Sequence, residues 1–181
     1  RAWDTALNQP CAVKENMDTS AEAQRQFLRE ATLLAGMRHP NLPRVTDHFL
    51  LAGQGQYLVM DFVEGQSLEG MLSNRSRRFT ETEVIPWLQQ ACDALAYLHS
   101  QGPPVIHRDI KPENIIITPQ NRAMLVDFGI SKIYDPVLKT SSGSRAVTSG
   151  YSPPEQYGTG GTDTRSDIYS LGATLYALFT G

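Results

Sequence analysis

The sequence predicts an α+β fold, with strands gathered in its first third and helices dominating the remainder. Three observations carry that expectation. Turn signals at Asn8-Gln9-Pro10 and at Gly53 and Gly55 each separate short strand-like runs. Two Thr-x-x-Glu boxes, Thr19 to Glu22 and Thr80 to Glu83, each precede apolar residues at helical spacing. Farther on, Val105-Ile106 and Ile115-Ile116-Ile117 bracket a polar loop, as two short strands around a functional turn do. With 181 residues and 40% hydrophobic content, the chain can bury a sizeable core as one domain or as two small lobes.

Taken in order, Arg1 to Asp4 and Cys11 to Glu15 read as strands joined by the first turn. The Thr19 box opens a helix running to about Ala35, with Phe27, Ala31 and Leu34 on one stripe. Glu30 falls on that same stripe, and an ionised carboxylate there needs a partner, for which Lys14 is the natural candidate. His39-Pro40-Asn41-Leu42-Pro43 closes this region, and Val45 to Leu51 and Gln56 to Met60 read as a hairpin. The short stretch Asp61-Phe62-Val63-Glu64-Gly65 then leads to the helix opened by Thr80. That helix places Val84, Leu88, Ala91, Leu95 and Leu98 on one face, and Gly102-Pro103-Pro104 stops it. His99 near its end reads as a helix-terminal surface group. A further apolar run, Ala123 to Val126, ends on Asp127. From Asp127 to Glu155 apolar residues are few and hydroxyls many, so this segment has little with which to fix itself. Asp163 to Gly181 begins with a Thr/Asp-rich turn and continues as a buried helix.

Bulk properties narrow the function. A formal charge of −3 and a pI near 5.8 give no electrostatic case for nucleic acid, and the cluster Arg75-Ser76-Arg77-Arg78 reads as a solvated loop. Cys11 and Cys92 lack zinc-site spacing and suggest no disulfide framework, which fits a reducing cytoplasm. No apolar run approaches the ~20 residues of a membrane span, since Tyr169, Ser170, Thr174 and Tyr176 interrupt the nearest one. No signal peptide is visible either.

The chemistry gathers in His107-Arg108-Asp109-Ile110-Lys111-Pro112-Glu113-Asn114 and Asp127-Phe128-Gly129. Asp109, Asn114 and Asp127 are offered from strand ends and a tight loop, a geometry suited to gripping metal and phosphate oxygens. At these residues the sequence resembles the eukaryotic-like Ser/Thr protein kinases, especially their bacterial branch. The resemblance implies a bilobal fold. Residues 1–62 would form part of a small antiparallel β lobe with its helix C, without the glycine-rich loop, and 63–181 part of a mainly helical large lobe.

That resemblance also distributes roles. Asp109 would accept the substrate hydroxyl's proton, Lys111 would steady the transferring phosphate, and Asn114 and Asp127 would hold Mg²⁺, with Mn²⁺ as a substitute. Lys14, in Ala12-Val13-Lys14, would meet the ATP phosphates and pair with Glu30. The backbone of Asp61 and Val63 would bind adenine beside Met60, Ser67 would lie near the ribose, and Ala12 and Ile116 would supply the apolar slot for the base. Leu34, Val45, Phe128 and His107 would form a hydrophobic column, and Asp167 would anchor the backbone near His107 and Arg108.

The hydroxyl-rich segment resembles an activation loop, closed by Ser152-Pro153-Pro154-Glu155, with Pro153 where the family has Ala. Thr148 falls where the family uses a threonine to contact the catalytic aspartate and lysine. Ser144, then Ser142 and Thr140, are phosphosite candidates, with Thr148 also to be mapped, and Arg108 and Lys132 could receive the phosphate. The implied partners are ATP, protein Ser/Thr substrates and a second copy of the chain acting in trans, with no nucleic acid and no membrane segment in this portion. Without the glycine-rich loop and the later helices, this piece alone should turn over weakly or not at all. A docking module that has lost catalysis and a small-molecule kinase are the competing readings. The complete set Lys14, Glu30, Asp109, Asn114 and Asp127 argues against the first, and the Lys-Pro-Glu-Asn string with the Glu155-closed loop argues against the second.

Overall fold

The computed structural model describes residues 1–51, 55–127, 147–157 and 161–181. They form two compact units, Arg1–Val63 and Glu64–Gly181. In the first, strands β1 (Ala2–Asp4), β2 (Gln9–Asn16), β3 (Val45–Leu51) and β4 (Gly55–Asp61) make an antiparallel sheet in the order β1-β2-β4-β3. Helix α1 (Ala21–Gly36) packs on it. The stripe read from the sequence is the buried one: Phe27, Ala31 and Leu34 of α1 are buried, as are Leu58 and Met60 of β4, and Phe27 lies against the His48 ring.

The start of α1 lies one residue later than the Thr19 box implies. Ser20 is the cap, its hydroxyl accepting Ala23 N–H at 3.2 Å. Asp18 Oδ1 accepts the Ser20 N–H at 2.9 Å, the task Glu22 would have performed in a box, so the glutamate is left as an ordinary first-turn acid.

The second unit opens with β5 (Gln66–Ser67), which pairs with β6 (Ile115–Ile117), itself paired with β7 (Ala123–Leu125). Gly65, just before β5, has φ +152°, and a Cβ there would run into the Ile117 carbonyl oxygen and the Ile116 side chain. Gly65→Ala is therefore expected to cost about 2–3 kcal/mol, read as a lowered urea midpoint. A midpoint equal to the parent's would mean that this approach relaxes freely.

Helices α2 (Leu68–Ser73), α3 (Glu81–His99), α4 (Pro154–Tyr157) and α5 (Thr164–Thr180) complete the unit. The Thr80 box forms as read, with Glu83 accepting the Thr80 N–H at 2.8 Å. Val84, Trp87, Ala91, Ala94, Leu95 and Leu98 bury the inner face of α3, a wider stripe than the sequence suggested, with Leu88 only half-buried at its border. The arginine cluster is not merely solvated. Arg75 and Arg77 both reach Glu83, at 2.8 and 3.1 Å, and Arg75 lies over the Phe79 ring. Hydrogen bonds from Arg75, then from Thr80 and Arg77, draw the Glu83 carboxyl down to about 2. Among the described residues no helix is long and apolar enough to cross a membrane.

Candidate active site

The polar loop between α3 and β6 is held by a residue sixty positions away in sequence. Asp167, in the first turn of α5, is fully buried. Its Oδ1 accepts the Arg108 N–H at 2.7 Å, and its Oδ2 accepts the His107 N–H at 2.9 Å. Arg108 has φ +68°, a left-handed conformation that costs a non-glycine residue ~1–2 kcal/mol and persists only where its surroundings enforce it. Those surroundings grip both backbone groups: Asp167 takes the N–H, and Gln156 Nε2 on α4 donates to the carbonyl at 3.2 Å. Chain direction is thereby set for the next residue, Asp109.

Around the Asp109 carboxylate three side chains converge. Lys111 Nζ stands 3.0 Å from Oδ2, Asn114 Nδ2 donates to Oδ2 at 2.8 Å and also to the Asp109 carbonyl, and Thr148 Oγ1 donates to Oδ1 at 2.9 Å. Lys111 Nζ also donates to Thr148 Oγ1 at 3.3 Å, closing a ring of contacts. Burial pushes the Asp109 acid upward, but hydrogen bonds from Lys111 and Thr148, the Lys111 charge and the Asn114 amide outweigh it and hold the carboxyl below the usual range. The site thus presents an ionised carboxylate in fixed orientation beside the Lys111 cation. Thr148 is itself fixed, its N–H donating to Ser152 Oγ at 2.9 Å.

The 3-10 turn Pro112–Asn114 buries Asn114, and the Val126 N–H donates to the Asn114 carbonyl at 2.9 Å. That bond brings Asp127, the next residue, beside Asn114. Asp127 is exposed and adopts φ +56°. Because the Asn114 Nδ2 is committed to Asp109, its side-chain oxygen is the atom left for a ligand. Among the described residues no group of three or more His, Cys, Asp or Glu could hold a metal ion. An amide oxygen and one carboxylate suit Mg²⁺, which accepts hard oxygen donors, keeps waters and takes its remaining ligands from phosphate.

In the first unit, the β2–β4 register sets Ala12 opposite Met60 and Lys14 opposite Leu58. Glu30 lies within α1, and its side chain is outside the described residues. The Asp61 N–H already donates to the Arg44 carbonyl at 2.9 Å, so a backbone contact of Asp61 with a base would fall to its carbonyl. The Asp61 carboxylate holds Arg44 Nε at 2.8 Å. In the second unit, Ser67 pairs across β5–β6 with Ile116, and its hydroxyl caps α2 by accepting the Gly70 N–H at 3.1 Å. Ser67 therefore has a structural task that sequence reading did not assign. Phe128, Lys132, Thr140, Ser142 and Ser144 lie outside the described residues.

Sequence reading missed Gln156 and misjudged His99. The ring of His99 is no surface group: its side chain is 15% exposed and Nε2 lies 2.8 Å from Asp167 Oδ2. A signal was present, because His99 stands four residues after Leu95 and so continues the apolar stripe of α3. Glu155 accepts the Ser166 hydroxyl at 2.7 Å.

The fold of these two units and the build of this loop are those of the protein kinase domain family, to which the chain belongs and whose model matches residues 1–181. It is 37% identical to the serine/threonine-protein kinase pkn2 of Myxococcus xanthus over 97% of this chain and 22% of that protein. Against the serine/threonine-protein kinase PknJ of Mycobacterium tuberculosis the identity is 38%, covering 86% of this chain and 26% of that protein. Among solved structures it is similar to the apo form of PpkA-294, with a TM-score of 0.75 and 28% identity over 100% of this chain and 70% of that one. The chain thus spans less than a third of the length of these curated relatives.

Proposed function

We propose that this chain forms the core of an ATP-dependent protein kinase that phosphorylates Ser or Thr hydroxyls. The observation that carries the reading is the convergence of Lys111, Asn114 and Thr148 on Asp109. ATP with Mg²⁺, or Mn²⁺ in its place, would supply the phosphoryl group and neutralise its charge. Asp109 orients the attacking hydroxyl and takes its proton, and Lys111 steadies the negative oxygens in transfer. Asn114 and Asp127 hold the metal. Lys14, oriented by Glu30, meets the phosphates, and the Asp61 carbonyl, the Val63 backbone and Ala12 meet the base; in the second unit Ile116 is the residue assigned to the base and Ser67 the one assigned to the ribose. Protein substrates, and a second copy of the chain as one of them, follow from the same reading, as does a cytoplasmic setting.

Regulation by phosphorylation between Asp127 and Glu155 belongs to this proposal, with Thr140, Ser142 and Ser144 as acceptors and Arg108 and Lys132 as receivers. Thr148 is a poor acceptor on physical grounds. Its hydroxyl touches the Asp109 carboxylate, and a phosphate there would set a dianion against an anion. Its proposed role is to orient Asp109 and Lys111 instead. Thr148→Val, which keeps the shape but removes both hydrogen bonds, should lower kcat about ten- to a hundredfold, while Thr148→Ser stays near the parent. Equal kcat in the valine variant would remove Thr148 from the machinery.

The founding experiment is intact mass and peptide mapping of the full-length product after incubation with Mg²⁺ and ATP, with a generic protein substrate present and an Asp109→Asn control alongside. Phosphate on substrate or chain in the parent alone is expected. Phosphate in neither sample would sink the kinase reading and favour a docking module.

A further inference from the structure

We propose that Arg44 is a positioning residue for base recognition, acting through Asp61 on the direction of the Asp61 carbonyl; this rests on the nucleotide binding proposed above. Arg44 takes hold of Asp61 with both backbone and side chain. Its carbonyl accepts the Asp61 N–H at 2.9 Å, and its own N–H donates to Asp61 Oδ2 at 3.2 Å. Its guanidinium meets the carboxylate as a fork, Nε donating to Oδ2 at 2.8 Å and Nη2 to Oδ1 at 3.2 Å. One residue on, the Arg1 guanidinium stands over the Phe62 ring, 4.8 Å from its centroid. Arg1 precedes β1 and Arg44 precedes β3, the two outer strands of the sheet, so the peptide joining Asp61 to Phe62 is flanked by side chains held from opposite edges.

The strand ladder alone holds this end of the sheet poorly. The register of β3 on β4 shifts between Val45 and Asp47, leaving Thr46 as an extra residue, and Val45 opposite Met60 is the last pair beyond that bulge. A peptide chain has φ and ψ as its soft torsions. With the N–H and the carboxylate of Asp61 both tied to Arg44, φ and the side-chain torsion are set, and ψ alone is left to aim the carbonyl. Burial pushes the Asp61 acid upward, but the Arg44 hydrogen bonds and the charges of Arg44 and Arg38 outweigh it and hold the carboxyl below its usual range, so the fork joins two charged groups. The Arg44 side chain is 63% exposed, and an ion pair so wet adds little to the stability of the fold. Its consequence is one of direction. A carbonyl aimed in this way rewards a base that brings an exocyclic amino group and gives nothing to one with a bare ring carbon there.

The test measures dissociation constants of the full-length protein for the Mg²⁺ complexes of ATP and of purine riboside triphosphate, which is ATP without its amino group. Arg44→Ala should weaken ATP about three- to fivefold, the ceiling an exposed ion pair allows, and leave purine riboside triphosphate within about 1.5-fold of the parent. Arg44→Lys returns the charge and one donor but not the fork, so its ATP affinity should lie between those of the parent and of alanine. Asp61→Ala should lose at least as much as Arg44→Ala, and the double variant should be no weaker than Asp61→Ala alone, because the arginine acts through the aspartate. A parent that binds neither nucleotide defeats the nucleotide reading and this proposal with it. A parent that binds ATP, beside an Arg44→Ala variant that binds it equally well, overturns the role of Arg44 and leaves the nucleotide reading standing. An equal loss for both nucleotides also overturns it, since that marks a general loosening of the sheet, as does a double variant in which the two losses add.

Discussion

Asp109→Asn is expected to lower kcat about 10²- to 10⁴-fold, while leaving ATP affinity and the unfolding midpoint close to the parent's. The substitution is close to neutral for the fold because of how the carboxylate is used. Oδ2 meets two donors, Lys111 Nζ and Asn114 Nδ2, and an asparagine can present its carbonyl oxygen there. Its NH₂ then faces Thr148 Oγ1, a hydroxyl that can turn from donor to acceptor. What the amide cannot do is take a proton from an attacking hydroxyl. The same contacts bear on pH. Since Lys111, Thr148 and Asn114 outweigh burial and hold the Asp109 carboxyl low, its ionised form persists below the ordinary aspartate range, about pH 4. The sign follows: activity and stability that depend on this carboxylate are present above the unfolded pKa and lost as pH falls through the lowered folded pKa. An acid limb near pH 6 to 7 in kcat would therefore belong to another group. A variant that retained more than about a tenth of parental kcat would remove Asp109 from proton transfer.

How much of this could be read in advance depends on whether the information was local. The buried stripe of α1, the box at Thr80 and the apolar strand Ile115–Ile117 after the polar loop are short-range patterns, and they appear where the sequence placed them. Val105-Ile106, read as a matching strand before the loop, forms none. The grouping of Asp109, Lys111 and Asn114 within six residues of chain, tightened by the turn at Pro112–Asn114, is equally local. The link from Thr148 to Asp109 spans 39 residues and that from Asp167 to Arg108 spans 59, and both were expected only through family resemblance. Nothing in periodicity pairs a residue with a partner so distant. Where no resemblance pointed, long-range partners were lost: Gln156 on Arg108, and His99 on Asp167, 68 residues apart. His99 failed for a second reason, since the end of a helix is usually solvated and here another helix covers it. At α1 the error was one residue, because two adjacent hydroxyl residues, Thr19 and Ser20, can each cap, and the side chain of Asp18 decided between them.

Asp167→Ala is expected to destabilise the protein by about 3–5 kcal/mol, the largest stability effect of any single change here. Two opposing terms set the size. Removing a fully buried carboxylate relieves a desolvation penalty, which favours the variant. Against it, three donors, His107 N, Arg108 N and His99 Nε2, lose their acceptor where water has little access, at about 1–3 kcal/mol each. Alanine also leaves a cavity in the first turn of α5, beside a loop whose left-handed Arg108 keeps the Gln156 amide on its carbonyl but loses the acceptor for its N–H. The second effect is the larger, since three unmet donors and a strained residue fall together. Asp167→Asn separates the contributions: it keeps the volume and one acceptor oxygen but points an NH₂ at a backbone N–H, so its loss should lie between those of the parent and of alanine. Urea unfolding of the three proteins reads this directly, and an alanine variant within about 1 kcal/mol of the parent would show that the loop is held by other means. Below its melting range the alanine variant should also be slow in phosphoryl transfer, because the residue freed on losing Asp167 is the one that aims Asp109. Stability and activity would then fail through one and the same peptide bond, the one joining His107 to Arg108.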